Sequence, residues 1–298
     1  MNLHQLRIFT AVARLGGFSR AAEELHISQP SVSIQVGDLE RALGVDLFEQ
    51  LGRRVYLTEA GRALDEYARR ILGLADEAQT ALKEIKGLRR GRLTVGATTT
   101  PGTYVLPRVV GRFQERYPQI AVTVEITHTR RIQEQVLRNE FDLGIVGWGV
   151  NAHELVGEPF LDDELVLVVP PTHPLAAAGI AHARGLQAHR LILRERGAGT
   201  REALEAALRE VGLTVNPSLE LGSSEAIQEA VAAGWGITIL SRLAVANEVE
   251  AGRLVIVPMA DLVVRRQFHV VHHRDKHLSQ AVKAFLDMLQ ASVPAVTL

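Results

Sequence analysis

The chain has 298 residues, of which 47% are hydrophobic and 22% are charged, and this composition is typical of a folded protein with two or three domains. It excludes a disordered or fibrous chain. The sequence contains no cysteine, which excludes disulfides, thiolate metal sites and a cysteine nucleophile. The formal net charge is −1, whereas nucleic-acid-binding proteins usually carry excess positive charge. Composition alone therefore argues against DNA as a partner.

The N-terminal segment does not have the pattern of a targeting sequence. It lacks a basic region, an uninterrupted apolar run and a small-residue cleavage site. No later stretch reaches the ~18 consecutive apolar residues that a membrane-spanning helix requires. We therefore expect a soluble, cytoplasmic protein with no membrane contact.

Three short helical patterns come first in the chain. Apolar residues spaced for one helix face occur over 3–15, 21–25 and 32–43. Ser28 can cap the third helix, and Pro30 is tolerated in its first turn. Two short helices joined by a tight turn and preceded by another helix predict a helix-turn-helix, whose second member enters the DNA major groove.

A hairpin and a long helix are predicted next. Residues 45–57 predict a hairpin with Gly52-Arg53-Arg54 at its tip, which would be a wing, and residues 59–88 contain no proline. In that second segment apolar residues recur at alternating steps of four and three: Leu64, Ala68, Ile71, Ala75, Ala78, Leu82 and Ile85. This repeat is typical of a coiled-coil seam and predicts pairing with a second copy of the chain. The alternative is one face of a bundle helix within the same subunit.

Strand patterns alternate with helix patterns from residue 91 onward, which predicts an α/β sheet system. We expect strands at 93–97, 121–126, 142–146, 165–169, 191–193, 218–221, 236–240, 254–257 and 268–272. We expect helices at 101–117, 130–139, 201–211, 225–233, 243–251 and 278–290. About two hundred residues suffice for two lobes, with a ligand in the crevice at the carboxyl ends of the strands.

Residues that can cap helices follow four of these strands. They are Thr100 before Pro101, Thr129, the run Gly197–Thr200 followed by Arg201, and Ser223. Helix amides, hydroxyls and an arginine that converge in one crevice form an anion site. We therefore expect a small carboxylate, phosphate ester or inorganic oxyanion as ligand, and no other cofactor.

Catalytic and metal-binding motifs provide no support for an enzyme. A serine-nucleophile elbow, a Walker loop and an HExxH motif are absent from the sequence. His269 and His273 would share a strand face that His272 does not, and no carboxylate completes a metal set with them. We expect no metal site.

The DNA-binding segment carries a specific resemblance. The residues AVARLGGFSRAAEELHISQPSVSIQVGDLERALGVDLFEQLGRRVYLTEAG match the winged helix-turn-helix of the LysR-type transcriptional regulators, and the chain resembles this family over its whole length. The segments VGATTTPGTYVLP, LRERGAGTREALE and LGSSEAIQEAVAAGWGITILS resemble the branch of Calvin-cycle and sulfur-assimilation regulators, CbbR-like and CysL-like.

The resemblance implies a domain organisation. It consists of a winged helix-turn-helix at 1–58, a linker and dimerisation helix at 59–90, and an α/β effector-binding domain at 91–298. That domain would have two Rossmann-like lobes of the periplasmic-binding-protein type, lobe I at about 91–162 and 266–298 and lobe II at about 163–265. The resemblance also implies a homodimer through the linker helix, a homotetramer through the effector domains, and contact with RNA polymerase.

Site residues are assigned by matching the family segments. The DNA-binding residues would be Ser28, Gln29, Pro30, Ser31, Ser33, Gln35, Arg53 and Arg54. The effector-binding residues would be Thr98, Thr100, Thr129, Thr200, Arg201 and Ser223. The sequence departs from the family at Ile34 and Gly37, where a basic residue is common, so non-specific DNA affinity should be low.

Two other function classes remain open at this point. The last two hundred residues alone would suffice for a solute-binding protein, and an enzyme tethered to DNA would also contain an α/β domain. The first class lacks an expected signal peptide, and the second lacks a visible catalytic pair. Residues 1–60 carry six Lys/Arg and seven Asp/Glu, so DNA binding must depend on the local placement of charge.

Overall fold

The computed structural model describes residues 1–51, 54–84, 91–147 and 153–292. These form two compact units, one of Met1–Gly87 with Arg138–Glu140 and one of Leu88–Leu137 with Phe141–Leu298. The first unit contains α1 (Leu3–Leu15), α2 (Phe18–Leu25), α3 (Gln29–Leu43), β1 (Phe48–Leu51), β2 (Arg54–Leu57) and α4 (Glu59–Glu84).

Local signals set the limits of the first three helices. Asn2 and Gln5 form a capping box at the start of α1, and Gly16 ends it in the left-handed conformation. His26 also adopts a positive φ, which turns the chain between α2 and α3. The strands β1 and β2 pair as an antiparallel hairpin. The prediction of a helix-turn-helix followed by a hairpin is therefore confirmed.

The long helix α4 has apolar residues on two faces. Leu64 and Ala68 pack against Phe9 and Leu39 of the same unit, and Ala68 is fully buried there. The seam predicted for a coiled coil is thus wrong at Leu64 and Ala68, because this face covers the helix-turn-helix core. Ile71 remains exposed, together with two residues that the predicted seam omitted, Tyr67 and Leu74. Ile85 and the side chain of Leu82 lie outside the described residues.

The second unit is an α/β fold with a mixed sheet. Its strands are β3 (Gly91–Ala97), β4 (Ile120–Ile126), β5 (Leu143–Val146), β6 (Leu155–Val169), β7 (Ile192–Arg194), β8 (Leu219–Leu221), β9 (Thr238–Ser241), β10 (Val255–Val257) and β11 (Val264–His273). Its helices are α5 (Thr99–Tyr104), α6 (Leu106–Arg116), α7 (Thr129–Leu137), α8 (Pro174–Ala178), a 3-10 helix (Ala183–Ala188), α9 (Gly199–Glu210), α10 (Ser224–Ala232), α11 (Arg242–Glu250) and α12 (Gln280–Ser292).

Two long strands connect the two lobes of this unit. The seven-stranded sheet has the order β10-β6-β11-β5-β3-β4, with β9 also paired to β6. The strands β6 and β11 pair antiparallel along nearly their whole length. One end of this pair contributes Leu161 and Phe268 to the core of lobe I, and the other contributes Leu165 and Val264 to the core of lobe II. The predicted two-lobed α/β architecture is confirmed.

The structure differs from the predicted elements at several points. β6 begins at Leu155, ten residues before the predicted strand, because Glu158, Asp162 and Glu164 conceal its alternation. The predicted helix 101–117 is two helices that join at Val105, where φ is −110°. α8 and the 3-10 helix were not predicted.

Candidate effector-binding and DNA-binding sites

A small crevice, with about 30 Å³ of space accessible to water, lies between the two lobes of the second unit. The first turns of α5, α7 and α9 border it, and α7 and α9 are long enough for their N-terminal amides to favour an anion. Its lining residues are Thr98, Thr99, Thr100, Thr127, His128, Thr129, Gly147, Arg194, Gly197, Ala198, Gly199, Thr200 and Arg266. The crevice thus combines hydroxyls, backbone amides and two arginines.

Arg266 is buried and connects both lobes. Its Nε donates to Asp163 Oδ2 at 2.8 Å, while Nη2 donates to Thr100 Oγ1 at 3.1 Å and Nη1 to Thr200 Oγ1 at 3.2 Å. Asp163 is completely buried and also accepts a hydrogen bond from Ser241. Thr100 lies in the first turn of lobe I's α5 and Thr200 in the first turn of lobe II's α9, so one guanidinium contacts the helix starts of both lobes.

Arg194 is the second arginine in the crevice. It ends β7, only 5% of its side chain is exposed, and Nε and Nη2 donate to the two carboxylate oxygens of Glu195 at 2.8 Å each. Nη1 lies 3.4 Å from Ser224 Oγ at the start of α10. Burial, the largest influence, raises the pKa of Glu195. Hydrogen bonds from Arg194 and the backbone, and the electrostatic effect of Arg194 and His128, together bring that pKa below its ordinary value.

The two guanidinium groups influence each other. Burial, above all, lowers the pKa of Arg266, and the positive charge of Arg194 lowers it further, against the opposing effect of Asp163. Each arginine has one carboxylate partner, so the crevice has little net charge of its own. Two guanidinium groups that line one space are able to donate hydrogen bonds to a common anion.

Four of the six predicted effector residues line this crevice: Thr98, Thr100, Thr129 and Thr200. The predicted capping roles of Thr100, Thr129 and Thr200 are wrong, because α5 begins at Thr99, α7 at Thr129 itself and α9 at Gly199. The hydroxyls of Thr100 and Thr200 instead accept hydrogen bonds from Arg266.

Arg201 and Ser223 do not line the crevice. Arg201 is 4% exposed and pairs with Glu205 and Glu220, because its position in α9 turns it toward the β7–β8 edge. Its expected role as an anion ligand is therefore wrong. Ser223 does cap α10, since its hydroxyl accepts from the Ala226 amide. That bond is structural, and its expected place in the effector site is also wrong.

Sequence reasoning missed Arg194 and Arg266. The alternation of buried Val264, Arg266 and Phe268 would have placed Arg266 on the inner strand face, had the strand been extended four residues toward the N-terminus. Arg194 ends β7 after two buried apolar residues, three residues before Gly197 of the glycine-rich turn. Position at the carboxyl end of a strand was the available signal.

The helix α3 presents most of its predicted DNA-binding residues at the surface. Ser28 Oγ accepts from the Ser31 amide at 3.3 Å, and Gln29 Nε2 donates to Ser33 Oγ at 3.0 Å. Ser28, Gln29, Pro30 and Ser31 are exposed, whereas Ser33 and Gln35 are half-buried. Ile34 is 60% exposed between them. These hydroxyls and amides are able to bind phosphate oxygens or base edges.

The predicted wing contacts cannot be placed. Arg53 lies outside the described residues, and so does the side chain of Arg54, although its backbone is part of β2. Among the described residues, no group of three His, Asp or Glu side chains is arranged to hold a metal ion. In the same part of the chain, no helix is both long and apolar enough to cross a lipid bilayer.

Comparisons with known proteins cover nearly the whole chain. Residues 3–62 match the family described as "Bacterial regulatory helix-turn-helix protein, lysR family", and residues 86–294 match "LysR substrate binding domain". The activator CmpR of Synechocystis is 37% identical over 99% of this chain and 97% of its own length. The RuBisCO operon transcriptional regulator of Allochromatium vinosum is 37% identical over 97% of this chain and 95% of its own length.

Solved structures show the same architecture. Full-length OxyR from Pseudomonas aeruginosa is 26% identical with a TM-score of 0.79, over 98% of this chain and 94% of that chain. The Synechocystis CcmR regulatory domain, determined in complex with 2-PG, is 35% identical with a TM-score of 0.63, over 68% of this chain and 98% of that domain. The regulators of carbon-fixation operons among these relatives agree with the CbbR-like resemblance of the sequence. This chain therefore belongs to the LysR family of DNA-binding transcriptional regulators, with a helix-turn-helix domain and an effector-binding domain.

Proposed function

We propose that this regulator binds operator DNA through α3 and its wing as a homodimer or homotetramer, and responds to a small anion bound between the lobes of its effector domain. The effector is a group with two negative charges, such as a phosphoryl group. The observation that carries this proposal is the pair of arginines, Arg194 and Arg266, in a crevice bordered by three helix starts.

Charge favours a dianion over a monoanion. Arg194 and Arg266 repel each other, and their two carboxylate partners leave the crevice close to neutral. A sulfate or phosphoryl group has enough acceptor oxygens to bind both guanidiniums and several hydroxyls and amides at once. The CcmR domain, 35% identical, was crystallised with 2-PG, and we read 2-PG as 2-phosphoglycolate, a phosphate ester of this kind.

Calorimetry with the full-length chain tests the ligand class. We expect 2-phosphoglycolate and sulfate to bind at least tenfold more tightly than glycolate, which lacks the phosphoryl group. Thr129→Val should weaken this binding by about two- to tenfold, the range of one neutral hydrogen bond. Thr103→Val is the matched control, since Thr103 lies on α5 outside the crevice lining. Equal binding of glycolate and sulfate would contradict the proposal.

DNA recognition by α3 is a separate part of the proposal. A target duplex is first selected from a random pool with the full-length chain. Gln29→Ala and Ser33→Ala should each weaken binding to that duplex and leave binding to an unrelated duplex nearly unchanged. Gln187→Ala, an exposed glutamine on the effector domain, is the control. Unchanged affinity in both α3 variants would remove α3 from the interface.

Dimerisation through α4 is proposed from its exposed apolar stripe. Tyr67, Ile71 and Leu74 are exposed by 60%, 38% and 65%, and their spacing places them on one helix side. Ile71→Asp with Leu74→Asp should convert dimers to monomers in light scattering. Val263→Asp, which replaces an apolar residue 61% exposed on the effector domain, should not. A dimer that persists with both aspartates would contradict this interface.

The proposed mechanism is a shift of conformational populations. An effector that prefers one lobe or subunit arrangement changes the spacing of the paired DNA-binding heads, and thereby the bend of the DNA and the contact with RNA polymerase. The proposal places the protein in the cytoplasm with the DNA that it regulates. Because binding free energies are reciprocal, effector affinity must change when target DNA is present. Equal affinity with and without DNA would rule out this coupling.

A further inference from the structure

Glu195 occupies one of the two arginines that line the crevice. Both of its carboxylate oxygens accept from Arg194 at 2.8 Å, one from Nε and the other from Nη2. This bidentate geometry is the one by which arginine binds the carboxylate or phosphate of a ligand. In the described structure, therefore, a side chain of the protein itself fills part of the binding capacity of Arg194.

The two arginine–carboxylate pairs of the crevice differ in how firmly the carboxylate is held. Asp163 is completely buried and is bound by both Arg266 and Ser241. Glu195 keeps 29% of its side chain exposed. A buried carboxylate that lost its partner would carry a large desolvation cost, whereas a partly exposed one can turn toward water. Glu195 is thus the carboxylate that can leave its arginine.

The surroundings keep Glu195 ionised. Burial raises the pKa of Glu195, but the hydrogen bonds from Arg194 and the backbone and the charge of Arg194 outweigh it and bring the pKa below its ordinary value. Glu195 is therefore a carboxylate at neutral pH. A charged Glu195 repels any anion that approaches Arg194.

We propose that Glu195 is an internal competitor of the effector, a residue that a ligand anion must displace from Arg194. This inference rests on the proposed function, that the crevice binds a small anion. A monocarboxylate that displaces Glu195 exchanges one carboxylate for an equivalent one and gains little. A sulfate or phosphoryl group brings more acceptor oxygens, so the exchange is favourable. The cost of displacing Glu195 is the same for every anion, so Glu195 lowers the affinity for all of them and leaves measurable binding only to the strongest.

The substitution Glu195→Gln tests this role, because it keeps the shape of the side chain and removes its charge. The probes are sulfate as a dianion and acetate as a monoanion, measured by calorimetry with the full-length chain. We expect Glu195→Gln to bind both anions more tightly, each by at least threefold, because neither has to displace a charged carboxylate. Sulfate should gain at least as much as acetate, since the lost negative charge repels a dianion twice as strongly as a monoanion.

The control is Glu205→Gln. Glu205 is also partly exposed and pairs with a buried arginine of lobe II, but that arginine, Arg201, does not line the crevice. Its substitution should leave both affinities unchanged. If Glu205→Gln changed both affinities as much as Glu195→Gln does, the effect would come from the net charge of the protein alone. That result would overturn the inference.

Two outcomes separate this inference from the proposed function. If the wild type binds sulfate and Glu195→Gln binds it equally or less tightly, Glu195 orients Arg194 and the competitor role is wrong, while the anion site stands. If neither protein binds either anion, the anion site is wrong and the inference fails with it.

Discussion

The surface of α3 and the crevice around Arg266 both offer hydrogen-bond donors to an anionic partner, but they differ in burial. On α3 the polar side chains are exposed or half-buried and bond to each other, as Gln29 does to Ser33. In the crevice both arginines are buried and each pairs with one carboxylate. Exposed groups are screened by water and salt, whereas buried charges depend strongly on their partners. The proposed DNA surface should therefore tolerate substitution better than the proposed effector crevice.

The largest effect is expected from Arg266→Ala. It leaves the fully buried Asp163 without a counter-charge and should lower the free energy of unfolding by about 3–5 kcal/mol. Denaturant unfolding followed by tryptophan fluorescence measures this. The matched control is Arg242→Ala, since Arg242 pairs with the neighbouring Glu164 at the surface and should cost below about 1 kcal/mol. Similar losses in the two variants would contradict the contrast in burial.

Two capping serines allow the regions to be compared directly. Ser28 caps α3 and Ser223 caps α10, each through a bond to the amide three residues on. Replacement of either by alanine should cost about 1 kcal/mol of stability, measured from denaturant midpoints. Only Ser28→Ala should also weaken binding to the selected duplex. If Ser223→Ala weakened DNA binding equally without effector, the assignment of α3 as the DNA surface would lose its support.

Ile34→Arg should strengthen DNA binding without strengthening specificity. Ile34 is exposed on α3, so an arginine there can reach a phosphate and release one counterion per subunit. The slope of log affinity against log salt should become steeper by about 0.9 per subunit on an unrelated duplex. Ile126→Arg, at a position 49% exposed on the effector domain, is the control for net charge. Identical slopes in the two variants would place Ile34 away from the DNA.

The smallest effect concerns an exposed contact between α5 of lobe I and α10 of lobe II. The Tyr104 hydroxyl donates to Glu225 at 2.8 Å. Burial raises the pKa of Glu225, but its own backbone, Tyr104, Ser223 and Arg194 together bring that pKa below its ordinary value. A lowered folded pKa stabilises the fold above the ordinary pKa, and this stability is lost as pH falls through the folded value.

Glu225→Gln should therefore destabilise the protein slightly at pH 7, by less than about 1 kcal/mol for so exposed a group. The gap from wild type should close as the pH is lowered below the ordinary pKa of 4.5. Thermal unfolding of both proteins across this range measures the effect. If the stability difference between the two proteins widened in acid, the expected direction of the Glu225 effect would be wrong.

Much of the fold followed from local patterns. Buried strands such as β5 and amphipathic helices such as α3 carry strong periodicity, and both were predicted. The N-terminal part of β6 was missed because it carries several acidic residues. All of them look like surface residues in the sequence, although one, Asp163, is buried, so the alternation of buried and exposed positions is not visible. The split of α4 between two apolar faces depends on which neighbour covers which face, and that is a tertiary property.

The candidate site was predicted in part for a similar reason. Hydroxyls at helix starts were found from the turn residues, and Thr98, Thr100, Thr129 and Thr200 do line the crevice. The arginines were assigned wrongly, since Arg201 is buried elsewhere and Arg194 and Arg266 were overlooked. Arginine is almost never fully buried without a partner, and the partners, Asp163 and Glu195, are recognisable only once the strands are paired.

The pairing of β6 with β11 fixes the position of the Arg266 guanidinium between the two lobes. Arg266 and Asp163 lie directly opposite each other in the pairing of β11 with β6. Along β6, Asp163 lies between the stretch that belongs to the lobe I core and the stretch that pairs with β9 in lobe II. A rotation of one lobe about these strands leaves an opposed pair nearly unchanged and alters the distances from Arg266 to Thr100 and Thr200. Were the lobes to rotate about these strands, Arg266 would stay on the rotation axis, and its distances to the two threonine hydroxyls would change with the angle between the lobes.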